Sequence, residues 1–159
     1  MTRDPDAIPV VYLDTSVYGR PFDDLAIGAN RRESKAVQAI LESIGAGTTR
    51  LVSSFAIQEE CARATPAVRD LEAAVRGHAA VQIAPTPAVT TLTGRLVAEA
   101  GLKPAESQHI ACAALAGAQV FLSCNPKRLR KQAAIEAVLG HPFAMQSPTD
   151  FVRLALKRA

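Results

Sequence analysis

The sequence predicts an α/β fold in which a mainly parallel sheet of four to five strands is flanked by helices. Short apolar runs rich in β-branched residues recur along the chain, and segments with helical spacing of apolar residues lie between them. This alternation is typical of a parallel sheet with helices packed on its faces. The length of 159 residues suits one domain, which we expect to extend over residues 1–159.

The composition is that of a globular protein with an aliphatic core. Hydrophobic residues make up 48% of the chain and charged residues 21%, while aromatic residues reach only 4%. The net charge of +3 is mildly basic, so it permits a polyanionic partner without requiring one.

Cysteine usage and the first residues indicate a cytoplasmic protein. The three cysteines, Cys61, Cys112 and Cys124, are odd in number and form no Cys-x-x-Cys pair, which argues against a disulfide framework or a zinc site. Residues 1–10 lack the apolar stretch of a signal peptide. No segment has the roughly 18 consecutive apolar residues of a membrane span, so we expect no membrane association.

The first part of the chain is predicted to form two strands and one helix. After a polar lead-in over residues 1–9, the β-branched apolar residues 10–13 predict the first strand. Glycine, proline and asparagine make residues 18–32 mostly loop. Apolar residues recur at helical spacing over 33–44, and the following Gly-Ala-Gly ends that helix. Residues 50–54 predict the second strand.

The middle of the chain is predicted to form four helices around one strand. The first two helices extend over residues 55–64 and 66–77, and a proline fits the first turn of the second. Residues 80–84 predict the third strand. Two further helices follow over 86–101 and 103–117, and each of them ends at a glycine.

The last part of the chain is predicted to add one or two strands and two helices. Residues 118–124 predict the fourth strand. An asparagine followed by a proline is a strong helix-start signal and predicts a helix over 125–140. A short strand over 143–146 and a final helix over 147–158 complete the chain.

Acidic and amide side chains follow the predicted strands at the edge where active sites form. Asp14 ends the first strand, and Asn125 follows the fourth. Glu59 and Glu60 lie on the helix after the second strand, and Glu106 lies in the first turn of a helix. Ligands of open α/β sheets bind outside the carboxyl ends of the strands. Clustered carboxylates repel one another, and all-oxygen ligands suit Mg²⁺ or Mn²⁺, so the pattern predicts a divalent-metal site.

Each of these residues also has an ordinary structural explanation that the sequence leaves open. Asp14 could cap the following turn, and Asn125 could cap the helix that starts at its proline. Glu60 could be a solvated helix residue beside Arg63. Glu106 is favoured at a helix N-terminus by the helix dipole in any case. Only their joint position at one sheet edge favours a metal site.

Four segments together resemble the PIN-domain family, which includes the ribonuclease toxins of VapBC-type toxin–antitoxin modules. They are YLDTSVYGRPFDD (12–24), VSSFAIQEEC (52–61), AESQHIACA (105–113) and FLSCNPKRLRK (121–131). They occur in the order found in that family and cover nearly the whole chain. The resemblance implies a three-layer α/β/α fold and Mg²⁺- or Mn²⁺-dependent hydrolysis of single-stranded RNA. It also implies a homodimer and, for a VapC-like toxin, a small antitoxin protein as partner.

The resemblance places the four catalytic positions of the family on this chain. They fall on Asp14, Glu60, Glu106 and Asn125, with Glu59 as the alternative second acid. The first three would be the metal ligands. Glu106 stands where the family usually has aspartate, and Asn125 stands where most active members have aspartate. One negative charge fewer should weaken metal affinity and the activation of water.

Further residues are expected to support the ligands or to hold RNA. Thr15 and Ser16 are candidates to hydrogen-bond the ligating carboxylates, as groups around metal ligands commonly do. The basic side chains expected to bind RNA phosphates are Arg20, Lys127, Arg128 and Arg130. An equally simple explanation of the basic cluster is a solvated helix face. The metal site requires that its acids converge and that no neighbouring arginine or lysine neutralises them and leaves no room for an ion.

One alternative function stays open, and other enzyme classes fit the sequence less well. Because Asn125 is neutral, the chain could be a catalytically weak PIN-like module that binds RNA or a protein partner. A haloacid-dehalogenase-type phosphatase would need an aspartate at the position of Ser16. Glu106 and His109 match one half of a di-iron motif, but no second copy exists. His109 is therefore expected to be a packed, hydrogen-bonded histidine.

Overall fold

A five-stranded sheet lies at the centre of the computed structural model, which describes residues 7–156. All neighbouring strands in this sheet pair in parallel. In chain order the strands are β1 (Val10–Leu13), β2 (Arg50–Ser54), β3 (Ala79–Ile83), β4 (Val120–Leu122) and β5 (Ala144–Gln146). The predicted α/β class and parallel sheet are confirmed, and β1 and β2 have the predicted bounds.

Helices flank the sheet and connect its strands. They are α1 (Thr15–Gly19), α2 (Gly28–Ala46), α3 (Phe55–Ala62), α4 (Pro66–Arg76), α5 (Pro87–Ala100), α6 (Pro104–Leu115), α7 (Pro126–Leu129), α8 (Gln132–Leu139) and α9 (Pro148–Phe151). Three of these helices are capped at their N-termini by the side chains of Thr65, Thr86 and Ser147. Each of these hydroxyls accepts a hydrogen bond from the backbone N–H three residues further along the chain. Among the helices described, none combines the length and the apolar character that a membrane crossing needs.

The strand order creates a crevice between β1 and β4. The order is β3-β2-β1-β4-β5, so the direction in which the sheet grows reverses at this pair of strands. Right-handed crossovers then place helices on both faces of the sheet. In such sheets, ligands bind outside the carboxyl ends of the strands where the order reverses. Leu13 of β1 pairs with Leu122 of β4, so the residues directly after them lie side by side at this point.

A short aromatic stack anchors β1 within an otherwise mainly aliphatic core. Tyr12 stacks on Phe121 of β4, with ring centroids 5.4 Å apart. Phe121 also packs against Phe143, at a centroid distance of 6.3 Å. Such pairs contribute about 0.5–1.5 kcal/mol each beyond their buried area. The carboxyl end of β1 is therefore held firmly against β4.

The loop predicted over residues 18–32 is largely helical, so that prediction is wrong. A 3₁₀ helix spans Arg20–Phe22, and α2 already begins at Gly28. No residue in the first turn of α2 is buried, so this turn shows no apolar periodicity in the sequence. Arg20 Nη1 donates to Asn30 Oδ1 over 2.7 Å, which ties the start of α2 to the preceding turn.

The single helix predicted over residues 125–140 is divided into α7 and α8. The backbone leaves the helical conformation at Lys131, where φ is −91° and ψ is 5°. At the start of α8, Gln132 Oε1 accepts the Met145 N–H of β5 at 2.8 Å. This contact ties the start of α8 to the edge strand β5.

Both ends of the chain extend beyond the described residues. The final helix predicted over 147–158 is present as α9, followed by a π-helical segment, Val152–Leu156. Its last two predicted residues lie outside the described part. The lead-in predicted over 1–9 is described only from residue 7, and residues 7–9 form neither helix nor strand.

Candidate active site

The first candidate ligand, Asp14, is fixed at the end of β1. Its side chain is fully buried (0% exposed). Its backbone N–H donates to Leu122 O of β4 over 3.1 Å, so it lies at the reversal of strand order. Its Oδ1 caps α1 by accepting the Val17 N–H at 3.3 Å. Asp14 therefore caps α1 and also lies at the predicted edge of the sheet. Its second oxygen, Oδ2, remains available to contact a cation.

Ser16 connects Asp14 to the segment after β4. Its hydroxyl donates to Asp14 Oδ1 and accepts the Cys124 N–H at 2.9 Å. It therefore lies where a supporting hydrogen bond to a ligating carboxylate was expected. Thr15, expected in the same role, is only partly buried, and its Oγ1 makes no hydrogen bond of good geometry in the part of the chain that is described. Its hydroxyl nevertheless lies close enough to Glu60 to help lower the pKa of that carboxyl.

Glu106 is the second buried acid of the site. It lies in the first turn of α6, where the helix dipole favours negative charge, and it is 8% exposed. Within residues 7–156 its Oε1 has no hydrogen-bond partner. A buried carboxylate oxygen without a partner is costly, so a cation nearby stabilises the folded chain.

The guanidinium of Arg128 lies between the two buried acids. Its Nη1 is 2.5 Å from Asp14 Oδ2, and its Nε is 3.5 Å from Glu106 Oε1. Lys131 Nζ lies 3.8 Å from Glu106 Oε2. Asp14 and Glu106 thus approach the same guanidinium, and basic side chains of the same chain neutralise them. Arg128 was expected to hold RNA phosphates and is paired with carboxylates instead, and Lys131 was not among the expected residues.

Glu60 of α3 is the third acid of this region, and its side chain is 41% exposed. His109 Nε2 lies 2.7 Å from Glu60 Oε2. This hydrogen bond is the largest influence on the pKa of Glu60, which is lowered to about 2 against the opposing effect of burial. The Thr15 hydroxyl and, to a smaller extent, the positive charge of Arg128 lower the pKa of Glu60 further. Glu59, the alternative second acid, is exposed, so Glu60 is the glutamate that contacts α6.

A chain of buried hydrogen bonds begins at the first turn of α3, passes through Tyr12 and His109, and returns to Glu60 of the same helix. The Ile57 N–H donates to Ser54 Oγ at 3.1 Å, and Ser54 Oγ lies 2.7 Å from Tyr12 Oη. Tyr12 Oη lies 2.9 Å from His109 Nδ1. Burial holds the pKa of Tyr12 well above its usual range, so its hydroxyl stays protonated. A neutral His109 that accepts at Nδ1 and donates from Nε2 to Glu60 satisfies every partner in this chain.

The sequence itself carries a signal for part of this network. His109 follows Glu106 by three positions, so both lie on one face of α6. Tyr12 precedes Asp14 by two positions on an extended segment, so their side chains lie on the same side. The expectation that His109 is packed and hydrogen-bonded is confirmed, since it is 4% exposed.

Asn125 acts as a helix cap in this structure. Its Oδ1 accepts the Lys127 N–H at 3.0 Å, and its own N–H donates to Ser123 Oγ at 3.1 Å. The residue is exposed, and within residues 7–156 no hydrogen bond joins it to the carboxylates of Asp14 or Glu106. A role in water orientation would require its amide oxygen to leave the cap.

The expected RNA-binding side chains divide into two groups. Arg20 is bound by acids, with Nη1 3.0 Å from Asp23 Oδ2 and Nε 3.2 Å from Glu33 Oε1. Lys127 and Arg130 are exposed, and neither takes part in an ion pair among the described residues. Lys127 and Arg130 are therefore the two expected residues whose charge is available to an anion.

The donor set fits a hard divalent cation with few protein ligands. No three His, Cys, Asp or Glu side chains within 7–156 are close enough together to form a metal site. Mg²⁺, however, is commonly held by only one or two carboxylates together with waters and substrate phosphates. Asp14 Oδ2 and the unpartnered Glu106 Oε1 supply two such oxygens once Arg128 is displaced.

Comparison with known proteins identifies one family. A family model described as the PIN domain matches residues 11–135, a range that includes Asp14, Glu60, Glu106 and Arg128. No curated protein and no solved structure matches the chain. The resemblance found in the sequence is thus confirmed at the level of the PIN domain.

Proposed function

The chain belongs to the PIN-domain family, and we propose that it is a metal-dependent endoribonuclease that hydrolyses phosphodiester bonds of single-stranded RNA. PIN domains are in general nucleases, and most of them use divalent metals. One observation carries the proposal. Asp14 and Glu106, which are buried acids from distant parts of the chain, approach the same guanidinium at the reversal of strand order.

Asp14 and Glu106 would hold Mg²⁺ or Mn²⁺ directly, and Glu60 would bind it directly or through water. When bound, such a cation lowers the pKa of water and neutralises charge that develops on phosphate oxygens. Ser16 and the Val17 N–H keep the Asp14 carboxylate in one orientation through their hydrogen bonds to Oδ1. His109 does the same for Glu60 through its Nε2.

RNA would be held next to this site by the exposed basic side chains. Lys127 and Arg130 are suited to bind backbone phosphates, a contribution that weakens as salt concentration rises. Asn125, which lies between them and the end of β4, would orient the attacking water, with its Oδ1 released from the Lys127 N–H. As a neutral residue it would support this step less well than aspartate.

The test is cleavage of an unstructured RNA with Mg²⁺ or Mn²⁺ and with EDTA. Asp14→Asn should lower the rate at least about 100-fold, the order lost when one electrostatic stabiliser of a transition state is removed. Asp70→Asn is the matched control, since Asp70 is 72% exposed and, within residues 7–156, forms an ion pair with Arg69 of α4 alone. Cleavage that resists EDTA, or equal rates for Asp14→Asn and the wild type, would refute the proposal.

A second candidate function is a PIN-like module that binds RNA or a protein without cleaving RNA. The pairing of Arg128 and Lys131 with the two buried acids favours it, because these contacts satisfy the carboxylates without metal. Calorimetric titration with Mn²⁺ and RNA-binding measurements in EDTA separate the two functions. RNA binding without any uptake of Mn²⁺ would support the binding module.

The cellular role proposed for the ribonuclease is that of a VapC-like toxin in the cytoplasm. It would act as a homodimer and be held inactive by a small antitoxin protein. Light scattering on the purified protein tests the dimer. Co-expression with the product of a small neighbouring reading frame tests the antitoxin, since a true partner should co-purify and suppress RNA cleavage.

A further inference from the structure

Two buried carboxylates and one guanidinium occupy the reversal point of the sheet. Asp14 is 0% and Glu106 8% exposed, so neither is well solvated. Removing a charged carboxylate from water without a partner is strongly unfavourable. The metal-free fold therefore needs a cation at this point, and Arg128 supplies it.

The contact between Arg128 and these acids is divided and incomplete. The guanidinium makes a close contact with Asp14 through Nη1 alone, and its Nε remains 3.5 Å from Glu106 Oε1. In the described part of the chain, neither Arg128 Nε nor Glu106 Oε1 has a hydrogen-bond partner. Bidentate pairs, in which both oxygens of one carboxylate are bound, are the strong form of this interaction. The arrangement resembles a cation shared between two ligands more than a fixed salt bridge.

The position of Arg128 allows it to leave. It stands on α7, a helix of only four residues, and its side chain is 24% exposed. α7 has no buried residue, so a new rotamer of Arg128 does not disturb the core. Lys131, whose side chain is 35% exposed, is the second removable cation beside Glu106.

We propose that Arg128 is an internal counter-ion that occupies the metal position between Asp14 and Glu106 and must withdraw before a divalent cation binds there. This inference rests on the proposed metal-dependent function. It adds a competition between Arg128 and the metal for the same two carboxylates, which membership of the family does not imply. The protein should consequently bind metal more weakly than its carboxylates alone would permit.

Calorimetric titration with Mn²⁺ tests this competition on the full chain without RNA. Arg128→Gln should bind Mn²⁺ at least about tenfold more tightly than the wild type, because a partly buried competing charge is removed. Arg130→Gln is the matched control, since it removes a nearby positive charge that is exposed, and it should change affinity by less than about threefold. Equal Mn²⁺ affinity of Arg128→Gln and the wild type would overturn the counter-ion role and leave the metal-dependent function intact. If neither the wild type nor any variant bound Mn²⁺, the metal-dependent function would be refuted, and the proposed displacement of Arg128 by metal would be refuted with it.

A second measurement uses the wild type, in case Arg128→Gln does not fold. The Nε–H signals of arginine side chains are followed by NMR during titration with Mg²⁺. The Arg128 signal should shift with the saturation of the site, whereas that of Arg95, paired with Glu99 at 3.0 Å on α5, should stay unchanged. An Arg128 signal that does not move at saturating Mg²⁺ would overturn the proposal.

Discussion

His109 Nε2 lies 2.7 Å from Glu60 Oε2 and joins two helices that follow different strands. The imidazole is 4% exposed, and its Nδ1 contacts the buried Tyr12 hydroxyl at 2.9 Å. Because these partners fix the ring, the Glu60 carboxylate is held in one direction at the edge of the site. His109 thus orients the candidate ligand Glu60, in the same way that Ser16 orients the candidate ligand Asp14.

Replacing His109 should raise the pKa of Glu60. The hydrogen bond from His109 is the largest cause of the lowered pKa of about 2, so His109→Leu should move it towards the ordinary value of 4.5. The pKa is measured by ¹³C NMR of the Glu60 side chain during a pH titration. Tyr12→Phe is the control, because it leaves the His109–Glu60 contact in place and should have the smaller effect. An unchanged Glu60 pKa in His109→Leu would contradict the assignment.

Glu60 should also make stability depend on acidity. Its pKa is lower in the folded chain than in the unfolded chain, so its contribution is present above about pH 4.5 and is lost as the pH falls towards 2. The free energy of unfolding of the wild type should therefore approach that of Glu60→Gln over this interval. Urea unfolding at several pH values measures this. Glu99→Gln, at an exposed position, should show no such convergence.

Asp14 and Arg128 should be energetically coupled in the absence of metal. Arg128→Gln leaves a buried carboxylate unpaired and should destabilise the fold, while Asp14→Asn should relieve part of that cost. We expect a coupling of about 1–3 kcal/mol from a double-mutant cycle in urea with EDTA. The exposed Asp150–Arg153 pair, at 3.3 Å, is the reference and should give under about 1 kcal/mol. Additive effects of the two substitutions at Asp14 and Arg128 would argue against their pairing in solution.

The adjacent hydroxyls of Thr15 and Ser16 should contribute differently to the free energy of unfolding. Ser16→Ala removes the acceptor of the Cys124 N–H and the donor to Asp14, so it should cost about 1–3 kcal/mol. Thr15→Val keeps the shape of a side chain whose Oγ1 makes no hydrogen bond of good geometry within residues 7–156, so it should cost less than about 0.5 kcal/mol. Thermal unfolding compares the two variants, and equal losses would contradict the described hydrogen bonding.

The three cysteines should be inert in the folded protein. Cys61, Cys112 and Cys124 are free and buried, and burial raises their pKa to about 12, 11 and 11, respectively. Since the thiolate is the reactive form, iodoacetamide at pH 7.5 should modify none of them within an hour but all three in urea. Mass spectrometry reads out the result, and rapid labelling of the native protein would disagree with this burial.

Local patterns determined the positions of most elements. The β-branched run at Val10–Leu13 and the hydroxyl and proline signals at helix starts depend only on neighbouring residues, so the sequence predicted them. Asp14 followed directly, because a polar residue after a buried strand must lie at the sheet edge. Local patterns missed the first turn of α2, because that turn has no buried residue and therefore no apolar periodicity. They also missed the helix break at Lys131, which is followed by a contact between α8 and β5.

Neighbouring residues along the chain were enough to place Asp14 and Glu106 at the sheet edge, whereas the cations that neutralise them follow from packing in three dimensions. Asp14 and Arg128 are 114 positions apart, and His109 and Glu60 are 49 apart. Nothing in the type of a basic residue tells whether it will meet solvent, RNA or a buried carboxylate. That choice depends on the strand order and on the short helix that carries Arg128, since the energy of a charge is set by what surrounds it in space.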